Sequence, residues 1–236
     1  SYHTKGGNVF AGCMGRLTGL AAGTYLDHWT DLGKARSTKL TISSGTIKSC
    51  VYGGAELGTV GEVVSTTGEG GATVNTLKGG TDITITGGTI GTEITETITE
   101  PQDDGNGDTT EVSTDHTRYT FGSVFGGGYG STIEKIMVNK TTENPTGTET
   151  NPKFTAGLLH GDTKVDMQGG AVKASIYGGG EVASVEGSTD VRVNGTSTVG
   201  VSGFGGAKMG NVYGGGSGHP NIVRCGKIFK NYNVTI

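Results

Sequence analysis

Residues 165–180 read VDMQGGAVKASIYGGG and contain both of the motifs from which the fold can be predicted. It begins with an apolar–polar–apolar triplet, which is the period of a half-buried β-strand. A glycine pair follows and allows the positive φ and the close backbone approach of a sharp corner. A second apolar stretch then leads into a β-branched residue, an aromatic residue and three glycines. This order predicts strand, corner, strand and glycine corner.

The aromatic–glycine signature recurs along the chain. An apolar β-branched residue, an aromatic residue and then small residues occur in five full copies, with a partial copy at 204–206. The full copies begin at Val9-Phe10, Val51-Tyr52, Val124-Phe125, Ile176-Tyr177 and Val212-Tyr213. Such repetition indicates a repeat architecture, in which each unit buries its apolar side chains against its neighbours.

The apolar triplet recurs as well. Its copies are Leu40-Thr41-Ile42, Ile83-Thr84-Ile85, Val165-Asp166-Met167, Val191-Arg192-Val193 and Val234-Thr235-Ile236. A third short apolar stretch follows the glycines at Thr59-Val60, Thr132-Ile133 and Ser184-Val185. The least interrupted interval, Val165 to Val191, is 26 residues and fits one turn of a parallel β-helix with three short faces. We therefore predict an all-β fold, a single-stranded parallel β-helix (β-solenoid) with three short strands per coil.

Stacked coils would place equivalent side chains in rows, one strand spacing of about 4.8 Å apart. We predict that the first residues of the triplets form one buried row and that the third residues form another. The first row is Leu40, Ile83, Val165, Val191 and Val234, and the second is Ile42, Ile85, Met167, Val193 and Ile236.

The whole chain, 1–236, is predicted to be one solenoid domain. Longer intervals between the motifs indicate inserted loops near 15–37, 61–80, 92–120 and 138–161, rich in Thr, Glu, Asn and Gly. Insertions of this kind often form the binding face of a solenoid. Because the chain begins and ends within repeat units, we expect it to be a fragment of a longer array, with neighbouring repeats as its partners.

The amino-acid composition and the charge distribution exclude several classes of function. Glycine occurs 47 times with only 4 prolines, and hydrophobic residues make up 32%, which suits a thin core repeated along an axis. The 18 basic residues are scattered against 22 acidic ones, so we expect no nucleic acid partner. No apolar run is long enough to span a membrane. Three separated cysteines lack zinc-ligand spacing, so no cofactor is expected, apart from a possible structural calcium.

The glycine corner followed by [VI]-[YF]-GGG resembles the repeats of large cell-surface proteins of gut Bacteroidetes. Gly169-Gly170-Ala171-Val172 is also similar to the GGA[ILV] repeats of chlamydial polymorphic outer-membrane proteins and autotransporter adhesins. The resemblance covers most of the chain except the inserted loops. It implies a right-handed parallel β-helix, secretion to the bacterial cell surface, and a role in adhesion or display. Other β-helix proteins are polysaccharide lyases or glycoside hydrolases, and fold alone does not choose between these functions.

Two sets of aromatic residues are candidates for sugar binding. The row formed by Tyr52, Phe125, Tyr177 and Tyr213 could stack on sugar rings, although packing at a glycine corner is the alternative. Residues 25–31 contain Trp29 beside Asp27, His28 and Asp31. Paired carboxylates beside an aromatic platform would suit a glycan-processing enzyme, so Asp27, His28 and Asp31 are catalytic candidates. The alternative is that Trp29 only anchors its loop.

A calcium loop is the third candidate site. Asp104, Asn106 and Asp108 have the spacing that opens such a loop. Thr109 stands where the motif requires glycine, and Asp115 replaces the final glutamate. A solvated acidic turn is therefore the favoured interpretation.

These features favour a non-catalytic structural or adhesive segment of a bacterial cell-surface protein, which displays loops for binding glycan or a host surface. The main alternative is a β-helix polysaccharide lyase or glycoside hydrolase. A viral or phage fibre segment, which would be trimeric, is the second alternative.

Overall fold

The computed structural model describes residues 7–15, 33–103, 105, 109–119, 122–131, 135–137, 142–143, 145–150, 156–201, 210–219 and 225–236. Within these ranges the regular structure is β-strand, apart from one 3₁₀ turn at Glu69–Gly71. The prediction of an all-β fold is confirmed, and the principal sheets are parallel.

The strands are, in chain order, β1 (Val9–Phe10), β2 (Lys34–Ala35), β3 (Ser37–Ile42), β4 (Thr46–Ile47), β5 (Val51–Tyr52), β6 (Thr59–Val60), β7 (Glu62–Thr67), β8 (Thr73–Lys78), β9 (Gly80–Ile85), β10 (Thr89–Ile90), β11 (Glu93–Asp103), β12 (Thr109–Tyr119), β13 (Val124–Phe125), β14 (Lys135–Met137), β15 (Thr148–Thr150), β16 (Asp162–Val172), β17 (Ile176–Tyr177), β18 (Thr189–Val199), β19 (Val212–Tyr213) and β20 (Tyr232–Thr235).

The aromatic–glycine copies form one five-stranded parallel sheet. Its order is β1-β5-β13-β17-β19, so each copy pairs with the next copy along the chain. The register places the aromatic residues directly opposite one another in the order Phe10, Tyr52, Phe125, Tyr177 and Tyr213. The signature therefore recurs in sequence because its copies are neighbours in space.

The apolar triplets form the second parallel sheet, in the order β3-β9-β16-β18-β20. The predicted register of the first row is confirmed, since Leu40, Ile83, Val165, Val191 and Val234 are successive partners. Val234 is 38% exposed, so the prediction that it is buried is wrong. The second row is confirmed from Ile42 to Val193. Ile236 lies beyond the end of β20 and is 81% exposed, so the prediction that it is buried is wrong. Among the described strands none lies beyond β20 to cover it.

The glycine corner separates β3 from β4 and β9 from β10, whereas in the next two repeats it bends a single strand. β16 and β18 each run through the corner as eleven-residue strands, with a shift in register after Met167. Gly45, Gly88 and Gly170 stand at equivalent places with φ of 85°, 87° and 87°. A side chain is strained in this region of backbone conformation, which explains why glycine recurs there.

A third set of parallel contacts joins Ala35, Val60, Leu159, Val185 and Ile228. Val60 and Val185 were predicted for this row. Thr132-Ile133 lies outside the described residues, and Leu159 occupies the place between Val60 and Val185. The insertion in this repeat therefore precedes the third apolar position instead of following it.

The described excursions from the parallel rows include three antiparallel hairpins. β7 pairs with β8, β11 with β12, and β14 with β15. The first two fall within the predicted insertions at 61–80 and 92–120, whereas the third begins before the predicted range 138–161. Most of the insertion at 15–37 lies outside the described residues. Its predicted end is wrong, because Lys34–Ala35 is a strand that pairs in parallel with β6.

Buried threonines connect the triplet sheet with the aromatic sheet. Thr38, Thr81, Thr163 and Thr189 each donate a hydroxyl hydrogen bond, at 2.5–2.6 Å, to the carbonyl oxygen of the glycine that follows an aromatic residue. The acceptors are Gly53, Gly126, Gly178 and Gly214. Each bond satisfies two buried polar groups and fixes one sheet against the other.

Candidate functional site

The predicted aromatic row is a continuous stack. Neighbouring rings lie with centroids 4.6–5.1 Å apart and planes within 7–13° of parallel. Tyr52 is 0% exposed, Phe125 3% and Tyr177 4%, while Tyr213 is half-buried. Each of the three buried rings has another ring against both faces, which leaves no face for a sugar. This placement favours the packing alternative over sugar stacking at these rings.

The row also contains a buried polar contact. The Tyr52 hydroxyl donates to Glu181 Oε2 at 2.5 Å, and the Tyr129 ring packs edge-on against Tyr52 at 6.1 Å. Burial and then the neighbouring Glu181 carboxylate raise the pKa of Tyr52 far above its usual range. Burial likewise raises the pKa of Cys50 and of Tyr177. The Tyr52 hydroxyl is therefore a neutral donor to Glu181 at physiological pH.

The other candidates from the sequence lie outside the described residues. These are Asp27, His28, Trp29 and Asp31 in the first insertion, and Asp104, Asn106 and Asp108 in the acidic turn. Of the acidic turn, the Gly105 amide donates to Asp103 Oδ1 at 2.9 Å, with Gly105 at a φ of 82°. Within the described ranges no three His, Cys, Asp or Glu side chains are grouped so that they could hold a metal ion.

The outward face of the triplet sheet carries a row of charges. The residue before the first apolar residue of each triplet is, in spatial order, Lys39, Asp82, Lys164, Asp190 and Asn233. Opposite charges are therefore cross-strand neighbours from Lys39 to Asp190. Such pairs stabilise a sheet by roughly 0.2–1 kcal/mol each. The row thus allows charged side chains to stack along the sheet without repulsion.

Hydrogen bonds orient two carboxylates of this face, those of Asp190 and Asp166. Asp190 accepts from Arg192 Nε at 3.1 Å and from Asn233 Nδ2 at 3.0 Å. Asp166 Oδ2 accepts from Gln168 Nε2 at 3.0 Å and lies 3.9 Å from Lys164 Nζ. Several acceptors on this face are therefore oriented before any ligand arrives.

A groove runs beside the charged row, along the corner where the chain enters the triplet strands. It consists of two openings of about 440 Å³ and 280 Å³, which share Asp162, Thr163 and Asp190. Gly79 and Gly80 line the larger opening and contribute no side chains to fill it. Asp162 Oδ1 accepts from the Ser188 amide at 2.7 Å, which ties together the strands on either side.

The first hairpin and an ion pair flank this corner. Gly61 and Gly79 stand at the two ends of the β7–β8 hairpin, and Arg36 NH2 lies 3.5 Å from Glu62 Oε1 at its base. A Cβ on Gly79 would lie 2.8 Å from the Cα of Gly61, so the two ends of the hairpin are adjacent. His160 Nδ1 and Glu186 Oε2, which directly follow Leu159 and Val185 of the third row, lie 2.7 Å apart. The hairpin therefore leaves the parallel sheets next to the larger opening.

The charged row was not among the sequence candidates, although the sequence holds the signal for it. Aligning the triplets shows Lys, Asp, Lys, Asp and Asn one position before the first apolar residue. The exposed Tyr232, in the smaller opening, stands where the other repeats have the buried threonine. Tyr232 lies in β20, the outermost described strand of the sheet, and is 70% exposed at the end of the groove.

The groove combines carboxylate acceptors, cationic donors and one exposed ring, which together can bind a polar ligand that lies along the row. No described helix is long and apolar enough to cross a membrane. No protein-family model, curated protein or solved structure matches this chain.

Proposed function

We propose that this chain is a β-solenoid segment of a bacterial cell-surface protein, which acts as a non-catalytic shaft that presents a binding surface to glycan or to a host surface. The observation that carries the proposal is the parallel, in-register pairing of each repeat with the next in three separate rows. A chain that advances by one strand spacing per repeat in all three rows follows the path of a solenoid.

The handedness and the family come from the sequence resemblance. The recurring Ile-Tyr-Gly-Gly-Gly and Val-Tyr-Gly-Gly-Gly segments are typical of Gly-rich repeat proteins on the surface of gut Bacteroidetes. The resemblance to these proteins implies a right-handed coil, secretion to the cell surface and a role in adhesion. The contacts described above are compatible with that assignment, because several of the repeated glycines lie where a side chain would collide with the next repeat. A Cβ on Gly126, for example, would lie 2.2 Å from the Gly178 carbonyl oxygen.

The division between shaft and projections supports a display function. Stacked rows bury the side chains that repeat, such as Val165 and Ile176, at 0% exposure. The hairpins carry mainly exposed polar residues, as the burial pattern of β7 and β8 shows. A rigid stack with polar projections can hold a binding surface away from the cell, because its parts need no large common core.

Binding to a glycan array and to immobilised mucin tests the proposal. Intact protein should bind one or more glycans, whereas incubation with soluble polysaccharides should release neither new reducing ends nor unsaturated products. Two variants that lack 62–78 or 92–121 should remain folded, because Gly61 lies beside Gly79 and Gly91 beside Gly122. These variants separate binding by the hairpins from binding by the remaining surface.

Other outcomes would favour the alternatives. Product release from a polysaccharide would replace the display function with a lyase or hydrolase activity. A stable trimer in analytical ultracentrifugation would favour a viral or phage fibre segment. Absence of binding to every glycan and to mucin would contradict the adhesive function.

A further inference from the structure

We infer that the groove beside the charged row binds a neutral oligosaccharide that lies along the stacking direction of the strands. This inference rests on the proposed function, because it names the ligand class and the place of binding on the same surface.

The shape of the groove fits an extended ligand. The larger opening reaches from Ser37 on β3 to Asp190 on β18, and the smaller one continues from Asp162 to Asn233 on β20. Five strands lie side by side over this distance, so the groove spans four strand spacings, or about 19 Å. A chain of several sugar rings has the length to contact groups from successive repeats.

The distribution of charge favours a neutral ligand over a polyanion. Asp82 and Asp190 alternate in register with Lys39 and Lys164, and Arg192 bonds to Asp190. Binding of a polyanion requires a concentrated basic track, which alternating signs do not provide. Sugar hydroxyl groups both donate and accept hydrogen bonds, so they can use carboxylates and cationic groups along the same line.

Tyr232 supplies the aromatic surface that sugar recognition commonly uses. It is opposite Thr189 in register, and it lines the smaller opening with 70% of its surface exposed. Its side chain lies against the backbone of Gly214, where a Cβ would come within 3.0 Å of Tyr232 Cβ and Cδ2. The apolar face of a sugar ring can pack on a tyrosine ring held in this way.

The test is isothermal titration of the whole chain with soluble neutral oligosaccharides, namely cello-, manno- and xylo-oligosaccharides from the disaccharide to the hexasaccharide. We expect at least one series to bind, with an affinity that increases with chain length and changes little with added sodium chloride. Tyr232→Ala should weaken binding about tenfold because the stacking surface is lost, whereas Tyr232→Phe should retain most of it. Asp190→Ala should also weaken binding.

Phe229→Ala is the matched control, because Phe229 is a neighbouring aromatic residue that is 64% exposed and does not line the groove. It should leave the affinity unchanged, and thermal unfolding should show that each variant is folded. The inference is overturned if no oligosaccharide series binds, if Tyr232→Ala and Asp190→Ala bind as the wild type does, or if only polyanions bind. Glycan binding that disappears on removal of 62–78 or 92–121 but survives Tyr232→Ala would refute the groove site alone and leave the proposed function intact.

Discussion

Two kinds of β-pairing coexist in this chain, and they distribute stability differently. In the parallel sheets Val165 has its own repeat equivalents, Ile83 and Val191, as partners on either side, and all three are 0% exposed. In the β7–β8 hairpin, Val63 and Val74 are 40% and 48% exposed. The hairpin completes its hydrogen bonds within one excursion of the chain, whereas each parallel strand depends on the repeats before and after it.

This contrast explains why the sequence repeats in the parallel rows and varies in the hairpins. A side chain in a parallel row must fit two equivalents of itself, so the same residue type recurs at each repeat. A hairpin residue meets only its cross-strand partner and solvent, so hairpin length and sequence are free to change. Substitutions in the rows should therefore cost far more stability than substitutions in the hairpins.

The largest effect is expected for Val165→Asp. The carboxylate would be buried between Ile83 and Val191 without a partner, which should cost several kcal/mol and abolish the cooperative unfolding transition. Thr76→Asp is the matched control, because Thr76 is an exposed residue of β8. Urea unfolding followed by circular dichroism compares the two. Similar midpoints for both variants would contradict the account.

Gly179 and Gly215 occupy equivalent positions in two repeats but differ in how closely a neighbouring repeat approaches them. A Cβ on Gly179 would lie 2.6 Å from Ile228 Cδ1 and 2.7 Å from the Gly216 nitrogen, whereas a Cβ on the equivalent Gly215 would meet nothing within 4 Å. We expect Gly179→Ala to lower the free energy of unfolding by about 1–3 kcal/mol and Gly215→Ala to change it little. If chemical denaturation gave equal losses of unfolding free energy for the two variants, the close approach of the next repeat would not be the reason for glycine at this position.

A smaller loss is expected when a sheet-to-sheet hydrogen bond is removed. Thr163→Val keeps the side-chain volume but leaves the Gly178 carbonyl oxygen without its buried donor, which should cost about 1–2 kcal/mol. The control is Thr41→Val on the exposed side of β3, which should be within experimental error of the wild type. If both variants unfold at the same urea concentration, the threonine row does not stabilise the fold.

The smallest effect concerns pH. Tyr52 is protonated in the folded protein well above pH 10, while in the unfolded chain it ionises near pH 10. Its contribution to stability is therefore fully present below pH 10 and is lost as the pH rises above it. Tyr52→Phe should be slightly less stable at pH 7, because the bond to Glu181 is lost, yet its stability should fall less steeply above pH 10. Identical slopes for both proteins would contradict this assignment.

The rows could be predicted from the sequence because their signal is local. Alternation in the triplets and the fixed aromatic–glycine order identified Val165 as the partner of Val191 without any knowledge of the loops. Leu159 could not be placed in this way, because an insertion separates it from its own aromatic–glycine motif and periodicity does not determine where an insertion begins. The sequence does hold one weaker signal, since Leu159, Val185 and Ile228 each stand six residues before the next triplet.

The candidate site was harder to predict than the fold. The repeated aromatic residues were predicted to stack on sugar rings. Because they recur at the same position of each repeat, their rings stack on one another instead. The charged row was hidden because its members differ in sign, and a search for identical residues passes over them. Their relation becomes visible once the triplets are aligned, which places Asp82 beside Lys164.

Pulsed electron spin resonance distances along the charged row would show whether the repeats stack in chain order. In a background with Cys13, Cys50 and Cys225 replaced by alanine, spin labels would be attached at Lys39 with Asp190, and at Lys39 with Asn233. In-register stacking predicts separations of about 14 Å and about 19 Å between the labelled backbone positions, so that one further repeat adds about 5 Å. Equal distances, or a shorter distance for the Lys39–Asn233 pair, would show that the repeats do not stack in chain order.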